Sequence, residues 1–323
     1  MIKRLSLSDY ESTLSRPVYR STSGVAALFT GQMTCYFNAL SGKEQGLVAA
    51  YRLVRKVIGE HLTWYRTEAQ RHSRAIRPKD LEAFETWFSS PASERDEYEM
   101  VMGSGTTIGE IGSWAFSFGV ERNELPNDLG HFQFNVSGMD LVSHPEPFQR
   151  LAIEVFKAFP WTSANAGFGI AYDIGDVDPR RNAAIRAHAM RYVGADCNDL
   201  LAEGELPSDT IKTVNWLTFI NPALAAKVPA LASVANDPTS NVSVETLGEH
   251  GVLVRAGDTP LLGDCNRQED MHAYEQADAL LRPIRARQIF PLPGFSDEEE
   301  TSRWLNRFGQ ANEIDDDESD DQA

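Results

Sequence analysis

A chain of 323 residues with 42% hydrophobic content is long enough for one large core or two modest ones, and its net charge of −17, from 47 acids against 30 bases, opposes phosphate-rich partners. Direct binding of nucleic acid or anionic lipid is therefore not expected, whereas a basic partner would be attracted. Cys35, Cys197 and Cys265 are widely spaced and show neither a disulfide framework nor a C-x-x-C zinc pattern; Met1 to Asp9 lacks the apolar stretch of a signal peptide, and no run approaches the roughly 18 apolar residues of a membrane span, so a cytoplasmic protein is expected.

Residues 1–17 read as polar and irregular. Val18–Thr30, containing Gly24-Val25-Ala26-Ala27-Leu28-Phe29, reads as a strand, and Cys35-Tyr36-Phe37 as a second short apolar run. From Lys43 the pattern changes: Leu47, Val48, Tyr51, Val54, Val57 and Ile58 recur at steps of three and four, one face of a helix of about four turns, with Gly59 as its stop. Leu62–Arg66 is strand-like. Pro78-Lys79-Asp80 opens a second helix, with Leu81, Phe84, Trp87 and Phe88 on one face and Ser89-Ser90-Pro91 at its end.

Tyr98–Met102 leads into a glycine run, Gly103-Ser104-Gly105-Thr106-Thr107-Ile108-Gly109. Alternation of Trp114, Phe116 and Phe118, then of Phe132, Phe134 and Val136, predicts an antiparallel pair joined across Glu121–Gly130. Pro145–Phe159 reads as a helix burying Phe148, Leu151, Ala152, Val155 and Phe156. Ala164–Tyr172 reads as a strand and Pro179–Tyr192 as a third helix, with an acidic loop over 194–210 and a break over 229–241. Trp216–Ile220 and Gly251–Gly257 read as core strands, and Gly263–Arg267 as the turn that starts a packed helix. Ser296 N-caps a short helix reaching Phe308, with Trp304, Leu305 and Phe308 on one face. Residues 313–323 hold seven acids and no base, the composition of a disordered tail.

Long alternating runs joined by loops predict an α+β fold: mainly antiparallel sheet packed by amphipathic helices. The expected organisation is an irregular segment over 1–17, a single domain over 18–310 and a disordered acidic tail over 311–323. Strand, helix and strand recur near 24–66 and 131–172, which leaves open two similar lobes of about 18–110 and 111–310, although no residue-level self-similarity supports them.

No catalytic motif stands out. The glycine run departs from G-x-G-x-x-G and lacks the Lys-Ser/Thr pair of a phosphate loop, so a plain turn accounts for it. The histidines at 61, 72, 131, 144, 188, 250 and 272 form no H-x-x-x-H pair. Cys265 near His272 raises a thiol nucleophile, but Cys265 follows a Gly-Asp turn and a structural cysteine is the simpler reading. No G-x-S-x-G occurs. Asp173, Asp176 and Asp178 lack the glycine and distal glutamate of a calcium loop. No cofactor and no metal are expected.

At Asn215–Ile220 and Gly251–Arg285 the chain resembles the type VI secretion immunity family, long a domain of unknown function. The matching features are Trp216-Leu217-Thr218-Phe219, Gly251–Gly257 before Pro260, Gly263-Asp264-x-Asn266-Arg267, and Tyr274 followed by Leu280-Leu281-Arg282-Pro283-Ile284-Arg285. Gln268 stands where the pattern calls for glycine. The resemblance implies an immunity protein, not an enzyme. Such a protein binds a toxic effector encoded by an adjacent gene, and the family's partners are nucleases of the PD-(D/E)xK class, VRR-Nuc type included. Stoichiometric occlusion of a DNA-binding or active site would protect the producing cell.

The motif residues Trp216, Gly263, Asp264, Asn266, Arg267 and Tyr274 read as structural, with Asp264 or Asn266 capping the following helix. For the effector-binding surface only acidic loops stand out: Glu94, Asp96, Glu97 and Glu99; Asp173, Asp176 and Asp178; Asp196, Asp199, Glu203 and Glu205. Ordinary solvated surface accounts for each as well. The tail fits a DNA mimic or a solubility tail. Two other classes stay open: a hydrolase whose site is assembled from distant residues, and an effector-binding adaptor of the secretion machine. A concave pocket with clustered titratable groups would favour the former.

Overall fold

Two long strands form the spine of the molecule. The computed structural model describes residues 4–38, 42–67, 70, 72–89, 97–121, 129–173, 178–198, 200–203, 206–235, 237, 239–286 and 292–309. In it, β2 (Gly24–Phe37) pairs antiparallel with β8 (Ser163–Tyr172) from Ala27↔Tyr172 to Tyr36↔Ser163. Ten strands run edge to edge in the order β11 (Val242–Thr246), β12 (Val252–Ala256), β10 (Leu217–Ile220), β8, β2, β7 (Gly130–Ser137), β6 (Ala115–Glu121), β5 (Glu97–Gly103), β3 (Trp64–Thr67) and β4 (Arg74–Ala75). β1 (Tyr19–Ser21) adds to β2, and β9 (Asp196–Cys197) adds to β8 in parallel; the other pairings are antiparallel. Strands from residues 18–110 and from 111–310 share this one sheet.

The expected α+β class is therefore the observed one. The helices are α1 (Leu7–Leu14), α2 (Glu44–Ile58), α3 (Pro78–Ser89), α4 (Gly138–Ser143), α5 (Pro145–Ala158), α6 (Pro179–Arg191), α7 (Leu200–Glu203), α8 (Pro222–Ala225), α9 (Leu231–Val234), α10 (His272–Leu281) and α11 (Glu298–Leu305). Among the described residues no helix is long and apolar enough to cross a membrane.

Register sorts side chains by face, because successive residues of a strand point to opposite sides. Met33, Cys35 and Phe37 of β2 share a face with Phe132 and Phe134 of β7 and with Phe116 and Phe118 of β6. That face carries the helices: Tyr51 of α2 meets Phe116 edge-on at 5.3 Å, and Phe156 of α5 stacks on Phe219 at 4.9 Å. The opposite face presents Gln32, Thr34 and Tyr36 beside His131, Gln133 and Asn135.

Four expectations are corrected. The expected strand Val18–Thr30 is divided, Tyr19–Ser21 forming β1, while Gly24–Thr30 and Cys35–Phe37 belong to one 14-residue strand, β2, whose apolar pattern dips at Gly31, Gln32 and Thr34 because Gln32 and Thr34 face the polar side. Residues 1–17 are not all irregular: a capping box between Ser6 and Asp9 starts α1, and its Tyr10 and Leu14 are buried. The span 194–210 is not simply a loop but includes β9 and α7. Finally, Asp297 rather than Ser296 caps α11, accepting from Glu300 N.

The family-like stretch builds scaffold. Trp216 is fully buried, and its ring N–H donates to Gly257 O at 3.2 Å. The Tyr274 hydroxyl, also buried, accepts from Leu261 N at 3.1 Å. Asp264 caps the short 3-10 turn Cys265–Arg267, and not α10, whose N-cap Met271 has no side-chain bond. Arg191 grips the Asp264 carboxylate with two N–H groups at 3.1 and 2.9 Å. Arg267 pairs with Asp9 of α1, while Asn266 stays exposed. Gly263 and Gln268 both take left-handed backbone, with φ of 71° and 55°, so Gln268 occupies the conformation for which glycine is favoured.

Candidate functional site

The polar face of the sheet is half closed by the segment running from β9 to β10. Lys212, on that segment, is withdrawn from solvent, and its Nζ donates to Glu203 Oε1 at 2.7 Å, to Cys197 O at 3.1 Å and to Asn198 Oδ1. Asp196 Oδ1 lies 3.0 Å from the same ammonium. Burial lowers the Lys212 pKa, but Asp196 and Glu203 outweigh it and raise the value, so the ammonium stays charged. Burial raises the Glu203 carboxyl against the pull of Lys212. The Tyr36 hydroxyl donates to Glu203 Oε2 at 2.6 Å. Asn198 Nδ2 carries the network onto the sheet, reaching Gln32 Oε1, Thr34 Oγ1 and Gln133 Oε1 at 2.9, 2.8 and 3.2 Å. A buried polar network satisfied in this way fixes the segment to the sheet.

Beyond the segment the polar face is open and forms a cavity of about 390 Å³. Gln32, Gln133, Asn135 and Asn198 supply amide groups, and Trp64, Val101 and Ala115 supply apolar wall. Ser117 Oγ and His131 Nε2 lie 3.2 Å apart in the lining. Burial alone pulls His131 down to about 4, so its ring is neutral at physiological pH.

The mouth is charged. Arg66 of β3 reaches Glu99 of β5 at 3.8 Å and Asp173, just past β8, at 3.6 Å, all three side chains being partly exposed. Beside it stands the β5–β6 connection. The Glu110 carboxylate accepts from Val25 N at 3.0 Å, Thr106 N at 2.9 Å and Thr107 N at 3.3 Å, and also from the Thr106 hydroxyl. These bonds, the Thr106 side chain's first, pull Glu110 down to about 2. Trp64 Nε1 donates to Glu110 O at 3.1 Å, and Gly105 approaches the Glu110 backbone too closely for a Cβ. The glycine run is thus a pinned turn, as the spacing indicated. At its tip Ile108 is 58% exposed.

The nominated acids separate into distinct groups. Asp196 and Glu203 are not surface groups: both are buried on Lys212, because the segment that carries them folds back onto the sheet. Asp178 N-caps α6, accepting from Arg180 N and Arg181 N at 2.8 and 3.3 Å. Glu97 opens β5 rather than lying on a loop. Glu99 and Asp173, assigned to different loops, come together at the cavity mouth through Arg66. Glu94, Asp96, Asp176, Asp199, Glu205 and the tail over 311–323 lie outside the described residues. Sequence reasoning passed over Arg66, Lys212 and Ile108. Lys212 did leave a signal, as a lone charge in Ile211-Lys212-Thr213-Val214.

A family profile described as type VI immunity for VRR-Nuc matches residues 46–308. Among solved structures, the chain is similar to the Pseudomonas aeruginosa type VI secretion system protein PA0821, with a TM-score of 0.77 and 21% identity over 95% of this chain and 92% of that one. At that identity the likeness speaks for the fold. No curated protein matches.

Proposed function

This chain belongs to the family of type VI immunity proteins for VRR-Nuc, and from that membership we propose that it binds and neutralises a cognate VRR-Nuc effector, a DNase of the PD-(D/E)xK class, by stoichiometric occlusion of its DNA-binding or active site. The match across 46–308 carries the reading. The effector is encoded by an adjacent gene, and the complex forms in the cytoplasm without cofactor or nucleic acid. Charge supports the pairing. A DNase must present cationic surface to phosphates, and a chain of net charge −17 is drawn to it. Steering of this kind raises the association rate, while affinity needs a desolvated apolar centre.

The test is co-expression with the product of the neighbouring gene. Growth should be restored and the purified pair should co-elute at a fixed stoichiometry, with association slowing as salt rises. A pair that co-elutes without rescuing growth would instead mark an adaptor.

The hydrolase alternative has one observation on its side, the Ser117–His131 contact in the cavity. A histidine held near 4 is a poor general base at neutral pH. Retention of full protection by Ser117→Ala would dismiss it.

A further inference from the structure

We infer that the cavity on the polar face is a binding site for an uncharged carbonyl oxygen carried on a small apolar body. The buried ammonium of Lys212 orients a relay of side-chain amides so that N–H groups, and not oxygens, are left for a ligand. The site goes beyond the immunity reading and does not depend on it.

The relay starts at an atom that can only donate. Lys212 Nζ, held between Asp196 and Glu203, donates to Asn198 Oδ1. That contact fixes which way the Asn198 amide points. Asn198 Nδ2 therefore faces the sheet and shares its hydrogens among Gln32 Oε1, Thr34 Oγ1 and Gln133 Oε1 at 2.9, 2.8 and 3.2 Å. The Thr34 hydroxyl donates to the same Gln133 oxygen at 2.9 Å. Gln32, its oxygen so engaged, turns Nε2 to Asn135 Oδ1 at 3.3 Å. Every amide oxygen in the relay is thus taken by a donor on its Lys212 side. Among the described residues nothing accepts from Gln133 Nε2 or Asn135 Nδ2.

These two free ends share one face of β7. Register sets Thr34, Gln133 and Ser117 in one row across β2, β7 and β6, and Gln32, Asn135 and Ala115 in the next. Asn135 is only 2% exposed, Gln133 is half-buried, and both line the cavity. Neither nitrogen is sealed inside protein, so its unpaired N–H meets the cavity. A polar group withdrawn this far from water calls for a partner. The relay also holds both amides still, so little side-chain freedom is lost on binding.

Trp64, Val101 and Ala115 supply the apolar wall, and the volume of about 390 Å³ lies within the range of roughly 300–1,000 Å³ typical of binding pockets. Lys212, behind the relay, is already balanced by Asp196 and Glu203, and Arg66 at the mouth already faces Glu99 and Asp173. A neutral carbonyl oxygen satisfies the two N–H groups without bringing an unpaired charge into the half-closed site.

The experiment follows the side-chain amide resonances of Asn135 and Gln133 in the isotope-labelled full chain. The probes are acetophenone, an acceptor without a donor, and benzylammonium, a donor without an acceptor. Acetophenone should shift both resonances saturably and benzylammonium should not. Asn135→Asp, nearly isosteric, puts an oxygen where the N–H group was; it should weaken acetophenone by about tenfold or more and let benzylammonium bind. Should Asn135→Asp fail to fold, Gln133→Glu makes the same exchange at a half-buried position and decides alone. The site is wrong if acetophenone leaves the parent's resonances unmoved, if benzylammonium shifts them equally, or if the folded variants bind acetophenone as the parent does. Competition identifies the source of the oxygen: displacement of acetophenone by the neighbouring-gene effector points to a carbonyl of that protein, and a complex that still takes acetophenone points to a free small molecule.

Discussion

Lys212 Nζ and Glu203 Oε1 meet at 2.7 Å with both side chains withdrawn from water. With Asp196 on the same ammonium, the contact holds the β9–β10 segment against the polar face. Lys212→Met would strand two buried carboxylates and should cost about 3–5 kcal/mol in denaturant unfolding. Lys227→Met, which breaks the exposed pair with Asp209, should cost no more than about 1 kcal/mol. Equal losses for the two variants would contradict the network's structural role.

Gln268 is the one non-glycine residue with positive φ among those described. A left-handed residue with a Cβ costs about 1–2 kcal/mol relative to glycine, and the extra freedom of glycine in the unfolded chain offsets part of that. Gln268→Gly should therefore stabilise the fold by up to about 1 kcal/mol, read as a higher denaturation midpoint at unchanged slope. Gln268→Val, β-branched, should do the reverse.

His131 titrates near 4 in the folded chain against 6.5 when free, because burial disfavours the imidazolium. The unfolded chain then binds more protons between those values, so stability from this group is present above pH 6.5 and is lost as pH falls toward 4. The effect is of order 3 kcal/mol. The difference between the parent's and His131→Gln stability curves should change over that window and be flat above it.

Glu110 has the opposite chemistry but the same sign. Hydrogen bonds hold its carboxylate near 2, below its ordinary 4.5, so its contribution is complete above 4.5 and fades as pH falls toward 2. Removing it with Glu110→Ala should cost about 1–3 kcal/mol and speed amide exchange at Val25, Thr106 and Thr107.

Much of the fold was legible in the residues alone. Three- and four-residue spacing of Leu47, Val48, Tyr51 and Val54 marked α2, and alternation of Phe132, Phe134 and Val136 marked β7, because each local period reports which side meets the core. The family-like stretch was readable for the same reason: Trp216 leads into β10, Asp264 caps the turn Cys265–Arg267 and Tyr274 lies in α10, elements whose sequence patterns are local. Even the missed α1 was written in its Ser6–Asp9 capping box.

The surface was not legible in this way. Glu99, Asp173, Asp196 and Glu203 look alike as acids in polar stretches, since a carboxylate's spacing carries no record of what folds over it. Long-range packing separates them. The return of the chain past Lys212 buries Asp196 and Glu203, and the pairing of β3 with β5 brings Arg66 to Glu99 and to the end of β8, leaving that pair of acids at an open mouth. Local order is set by neighbours in sequence, whereas exposure of a charge depends on which distant segment lands on it.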